Sequence, residues 1–213
     1  MFDKTLMGYL SIIGEVGLDA DPGTVSQDSN DSGGWSYGLY QLASAPRSVQ
    51  AFITALQQPS WPEGNGYGAK LAAAGDPNCD QTFVNTWQQI AADDPSGFGK
   101  LQDDYVANQY YVPAATILES SYGFDISGHS LPLKQVLFAN AVQHGPKYGA
   151  EAFQDGADSI GQQLNALQDA DIIAALYNNK INDPYWSNGA QANRPGLIAR
   201  WANERDMALA LLG

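Results

Sequence analysis

The sequence predicts a mainly α-helical fold with one small β-hairpin lobe. Apolar residues recur at spacings of three and four along most of the chain, the period of an amphipathic helix. One stretch, about residues 18–44, breaks that period with Gly, Ser, Asp and Asn punctuation around a short aromatic alternation of Trp35, Tyr37 and Leu39. The 213 residues, 44% hydrophobic and 11% aromatic, suffice for one buried core, so a single domain over residues 1–213 is expected. No apolar run reaches the roughly 18 residues of a membrane span.

Each element has its own signal. Leu6, Met7, Leu10, Ile13 and Val16 predict a helix over residues 4–16, with Asp3 as N-cap, Gly17 as stop and Glu15 in the last turn. After Pro46, Val49, Phe52, Ile53 and Leu56 mark a second helix, followed by a Pro/Gly loop over 58–68 that carries Trp61 and Tyr67. Helices are expected at about 80–92, 97–111 and 113–120, the last with Pro113 in its first turn. Ser130-Leu-Pro-Leu opens a central helix through Leu133, Val136, Leu137, Asn140 and Ala141 that ends at Gly145. Helices near 146–154, 157–167 and 169–179 follow, and Pro195 opens a final one through Leu197, Trp201, Met207 and Leu211.

Composition excludes several functions. A formal charge of −13 with 10 basic residues spread along the chain argues against nucleic-acid binding, which needs clustered Lys and Arg. It favours neutral or cationic partners, or serves solubility alone. Cys79 is the single cysteine and reads as an inert helix-start residue; with His129 and His144 as the only histidines, no metal and no cofactor are expected. The N-terminus lacks the basic region and continuous apolar core of a secretory signal, so synthesis in the cytoplasm is expected, with action elsewhere only after lysis or through dedicated export. A monomer is the expected state.

The chemistry concentrates between Glu15 and Leu42. Glycoside cleavage needs a carboxylic acid to protonate the leaving oxygen and a second group to assist attack at the anomeric carbon. A glutamate ending an apolar helix is partly desolvated and faces the helix C-terminal dipole, both of which keep a usable proton near neutral pH, so Glu15 suits the acid role. Asp31 leads into the Trp35-Ser36-Tyr37 alternation and is the candidate second carboxylate, with Asp19, Asp21 and Asp28 as competitors. Ser36 is placed to hydrogen-bond the attacking water. Trp35, Tyr37 and Tyr40 offer flat faces for sugar rings, and Gln41 can donate to and accept from hydroxyl and N-acetyl groups. The plainer readings are an Asx turn at Asp31 and core packing for the aromatics.

These residues carry a resemblance. Glu15 followed by Ser36-Tyr-Gly-Leu-Tyr-Gln-Leu42 resembles the lytic transglycosylases and goose-type lysozymes of the lysozyme superfamily, where a catalytic Glu at a helix end precedes a Ser-containing Gly-Leu-Met-Gln segment. Ala141-Val-Gln-His-Gly-Pro146 looks like their later Tyr-Asn-Ala-Gly-Pro motif, with Val142 in place of Tyr and Gln143 in place of Asn. By that analogy Gln143 and His144 lie near the bound sugar. Asp31-Ser-Gly-Gly-Trp-Ser36-Tyr-Gly is also similar to the acidic turn of chitosanases, with Ser for their Thr. The resemblance implies a lysozyme-like helical domain. It implies a muramidase acting on peptidoglycan glycan strands, with Glu15 as acid and Asp31 with Ser36 positioning water. The alternatives are a chitosanase-like hydrolase of a cationic glycan, a lytic transglycosylase, and a catalytically silent sugar-binding or phage structural module.

Further candidates are weaker. His144 is either a general base or a structural hydrogen-bonder at the end of a buried helix. Arg200 and Glu204, at i and i+4, read as an ion pair on a helix face, with Arg194 or Arg200 also placed to meet a peptide-stem carboxylate. Tyr177, Tyr185 and Trp186 are candidates for lining the cleft.

Overall fold

The computed structural model describes residues 3–16, 19–27, 34–45, 47–78, 80–187 and 193–213, the side chains of 14–16 excepted. The described residues form helices α1 (Tyr9–Val16), α2 (Ser48–Leu56), α3 (Asn65–Ala73), α4 (Gln81–Asp93), α5 (Pro95–Tyr122), α6 (Leu131–His144), α7 (Pro146–Ser159), α8 (Asp169–Asn182) and α9 (Arg194–Leu212). Strands β1 (Val25–Gln27), β2 (Trp35–Tyr37) and β3 (Leu42–Ala43) make one antiparallel sheet in the order β1-β2-β3. The fold is therefore mainly α with a small hairpin lobe, as the sequence predicts. It divides into two compact units, residues 15–106 and residues 3–14 with 107–213.

The first unit is built round aromatic rings. Phe52 of α2, Phe83 and Trp87 of α4 and Phe98 of α5 are fully buried, and Tyr37 of β2 joins them with ring centroids 5.2 Å from both Phe83 and Trp87. The register aligns Ser26 with Ser36 and Ser36 with Ala43. Strand alternation then turns Ser36 to the sheet face opposite Tyr37.

In the second unit, α6 is the central helix, with every residue from Gln135 to Ala141 buried. Ser130 caps it by accepting from the Leu133 amide, as expected of Ser before a helix with proline in its first turn. Successive helices α6, α7, α8 and α9 pack on one another. The approach is close enough that a Cβ on Gly149 would meet Ala141 backbone at 2.7 Å, and one on Gly156 would meet Leu176 backbone at 2.7 Å. Glycine is the residue that permits these spacings.

Four expectations are corrected. The first helix begins at Tyr9 rather than residue 4: Asp3 accepts from both the amide and hydroxyl of Thr5, and the buried Gln135 amide donates to the carbonyls of Lys4 and Leu6, giving that segment a non-helical set of partners. Helix α3 starts inside the expected 58–68 loop, despite Gly66 and Gly68, because Leu71 buries completely and Gly68 closes against Leu56 and Gln57. The two helices expected at 97–111 and 113–120 are one, α5, running through Pro113. The carbonyl that Pro113 leaves without its helical partner belongs to Gln109, an exposed residue on the solvent side of the helix. Finally, no helix covers 157–167. α7 ends at Ser159, Gly161 takes φ +68, and only a short 3-10 turn at Leu164–Ala166 follows.

Candidate active site

The hairpin is held by a neutral polar latch. Gln102, on α5 and fully buried, accepts from the Leu39 amide at 2.9 Å and donates to the Pro22 carbonyl at 3.0 Å; Trp87 Nε1 donates to the same carbonyl at 2.8 Å. Gly38 turns above it at φ +72, and a Cβ there would fall 2.2 Å from Gln102 Oε1. Glycine at the Gly38-Leu39 turn is thus required twice, by its backbone angle and by the latch beneath it. Gln41 also has a left-handed backbone, at φ 49, and its amide is spent inside the hairpin: Nε2 donates to the Gly38 carbonyl at 2.9 Å, and Oε1 accepts from Ser26 at 2.6 Å.

The predicted residues of this lobe fall into different environments. Tyr37 is fully buried, so its ring is core rather than a face for sugar. Tyr40 donates its hydroxyl to the buried Asp103 carboxylate, and burial together with that negative charge pushes its pKa well up. Trp35 and Ser36 remain half-buried, and Ser36 Oγ has no hydrogen bond among the described residues. Ser36, Ser26 and Gln41 therefore give the outer face of the sheet a polar character. Glu15 lies in the last turn of α1, while its side chain, together with Asp28, Asp31 and Cys79, lies outside the described residues.

The second cluster is ionic and lies in the helical unit. Lys180 of α8 is fully buried, with Nζ 2.5 Å from Asn140 Oδ1 and 3.1 Å from Gln143 Oε1. It sits 4.6 Å from the Trp201 ring centroid and within 6 Å of the rings of Tyr177 and Trp186. Trp201 Nε1 donates to the same Gln143 oxygen at 2.9 Å. Buried Glu204 accepts from the Tyr177 hydroxyl at 3.1 Å and from Arg200 Nε at 2.8 Å. The Arg200–Glu204 pair is therefore present as predicted, but it closes a buried network instead of decorating a surface. Tyr177, expected on a cleft wall, is core, and Tyr185 is half exposed.

Burial dominates the protonation equilibria here. It holds Lys180 down to about 7 against the upward pull of Glu204, with Arg200 adding to the depression. It lowers His144 to about 3, reinforced by the positive charges of Lys180 and Arg200. His144 is consequently neutral, stacked edge-on against Trp186 at 5.4 Å, with a buried Nε2 that has no hydrogen-bond partner among the described residues. Sequence reasoning missed Lys180 and Gln102; each lies far along the chain from its partners, and only an unpaired lysine or glutamine at an apolar helix position could have flagged them. No group of three His, Cys, Asp or Glu among the described residues could hold a metal ion.

A family model described as the type VI secretion system spike protein VgrG3-like, C-terminal, matches residues 7–205. The chain belongs to this family. It is 25% identical over 160 residues to the type VI secretion system spike protein VgrG3 of Vibrio cholerae serotype O1, covering 75% of this chain and 14% of that protein. The chain thus corresponds to about one seventh of the spike protein's length. Among solved structures it is similar to native chitosanase from Bacillus subtilis MY002, with a TM-score of 0.56 and 19% identity over 96% of this chain and 88% of that one. A glutamate-to-alanine variant of the same chitosanase complexed with 6 GlcN gives a TM-score of 0.56 at 17% identity, over 96% and 87% of the two chains. The likeness is one of fold, the fold of these chitosanases.

Proposed function

We propose that this chain is a glycan-cleaving module of a secretion spike, a hydrolase of peptidoglycan strands. The observation that carries the reading is a chitosanase-like fold over 96% of a chain whose family is the C-terminal part of a spike protein. Export on a spike gives a wall-degrading domain a route to its polymer. Glu15 is the general acid at the end of α1, and Asp31, with the hydroxyl of Ser36, positions the attacking water. In the hairpin unit Trp35 is a sugar contact, and in the helical unit Gln143 and His144 are the candidate sugar contacts. If the two carboxylates act as acid and base across a water, the product inverts; if a substrate hydroxyl attacks instead, a 1,6-anhydro ring results.

Removing a positioned acid lowers rate by about 100-fold to 10,000-fold. Glu15→Gln is expected to lower release of soluble muropeptides from purified sacculi by at least about 100-fold. Mass spectrometry of the products should show reducing ends. Undiminished release by Glu15→Gln overturns the assignment, and intact sacculi after prolonged digestion by the parent chain leave the silent spike module. A second reading, hydrolysis of a cationic glycan, is favoured by the −13 charge and the GlcN-bound fold relative. Reducing-end release from chitosan and none from sacculi would establish it.

A further inference from the structure

Gln143 has a fixed polarity. A side-chain amide can present either oxygen or nitrogen to a neighbour, and its orientation is decided by which partners can only donate. The indole N–H of Trp201 is such a donor, and it meets Gln143 Oε1 at 2.9 Å. Turning the amide over would set two N–H groups against each other, so Trp201 alone excludes the flip in either charge state of Lys180. Lys180 adds a second donor to the same oxygen at 3.1 Å. Lys180 is itself anchored on Asn140, whose oxygen faces it because Asn140 Nδ2 donates to the Val136 carbonyl at 2.9 Å. With its oxygen occupied twice, half-buried Gln143 keeps Nε2 as its free end, with no partner among the described residues. What Gln143 offers a ligand is two N–H donors and no acceptor.

We propose that Gln143 determines specificity by donating to an acceptor oxygen of the bound glycan, the carbonyl of an N-acetyl group, and that Trp201 and Lys180 are positioning residues that hold its amide in that sense. The inference rests on the glycan-cleaving reading and refines it, because an ammonium group, which only donates, finds no complement at Nε2. N-acetylated strands are therefore favoured over glucosamine polymers at this position.

The test is calorimetric binding of tetra-N-acetylchitotetraose and of chitotetraose to the full chain, in mildly acidic buffer where the glucosamine amines are protonated. The parent should bind the acetylated oligomer about tenfold more tightly, the scale of one well-made hydrogen bond. Gln143→Glu keeps an inner oxygen for Trp201 and Lys180 but presents an acceptor outward, and it should reverse the preference. Gln143→Met should erase the preference by weakening only the acetylated oligomer. Trp201→Phe, which keeps the ring and removes the N–H, should narrow the ratio between the two ligands, a readout that simple loss of stability does not move. An unchanged ratio in Gln143→Glu and Gln143→Met, a parent that prefers chitotetraose, or a parent that binds neither oligomer overturns the proposal. Digestion of sacculi, run in parallel, separates the two claims. Acetyl-selective binding without cleavage sinks the hydrolase and leaves Gln143 assigned, whereas cleavage with a Gln143-independent ratio does the reverse.

Discussion

Gln102 in the hairpin unit and Lys180 in the helical unit are both fully buried, and each ties together segments distant in sequence, but they are satisfied by different means. Gln102 is neutral and meets backbone groups, the Leu39 amide and the Pro22 carbonyl, which have fixed places in the chain. Lys180 is ionisable and meets side chains, Asn140, Gln143 and the rings of Tyr177, Trp186 and Trp201, in a cluster that also contains Glu204 and Arg200. A neutral latch fixes backbone shape with little electrostatic penalty. A buried ionic network fixes side-chain direction, at the expense of a stability that depends on every charge staying matched. The first suits a turn, and the second suits a residue such as Gln143 whose donor must point one way.

Breaking the ionic network should have the largest effect. Glu204→Leu removes the buried carboxylate that pairs with Arg200 and accepts from Tyr177, and should destabilise the helical unit by about 3–5 kcal/mol. Residue-resolved hydrogen exchange should show the loss in α6, α8 and α9. A loss under about 1 kcal/mol would mean that the charges are matched by solvent, and the contrast between the two latches would disappear.

Removing the neutral latch comes next. Gln102→Leu leaves the Leu39 amide and one acceptor position of Pro22 unpaired and should cost about 2–3 kcal/mol, confined to residues 15–106 in the same exchange experiment. Gly38→Ala adds a methyl against Gln102 and strains the left-handed turn, for about 1–3 kcal/mol. Because both changes disturb one contact, the double variant should lose less than the sum. Strict additivity would show that Gly38 is required for its backbone angle alone.

What the sequence made legible was local. The 3.6-residue period located most of the helices, Ser130 and Pro195 marked helix starts, and the Trp35-Ser36-Tyr37 alternation marked the sheet. Proline rules failed at Pro113, since a break depends on whether the freed carbonyl can reach water, which the sequence does not state. Glycine content hid α3, whose formation follows from what Leu71 and Gly68 meet across the unit. In the candidate site, position along the chain was easier to read than environment. Tyr37 read as a sugar platform and Tyr177 as a cleft-lining residue, yet both lie in the core, and Glu204 read as a surface partner yet closes a buried network. Those outcomes depend on contacts such as Tyr177–Glu204 and Tyr37–Pro77, 27 and 40 residues apart, beyond the reach of any local pattern.

A pH dependence confined to the helical unit separates the units again. His144 is held at about 3 in the folded chain against 6.5 when free, so between those values the unfolded chain binds a proton that the folded one refuses. Stability contributed by neutral His144 is complete above 6.5 and is lost as pH falls toward 3, by up to about 1.4 kcal/mol per pH unit. Between pH 6.5 and 5.5, above the ordinary carboxylate range, the slope belongs chiefly to His144. His144→Phe, which keeps an aromatic ring beside Trp186, should flatten it. Lys180, held at about 7 against 10.5, carries the same sign in the alkaline direction: folding expels its proton, so its contribution improves as pH rises from 7 toward 10.5. Residue-resolved hydrogen exchange in α6, α8 and α9 reads the helical unit, and stability there indifferent to pH from 6.5 to 5.5 would mean that His144 reaches water and takes its proton in the folded state.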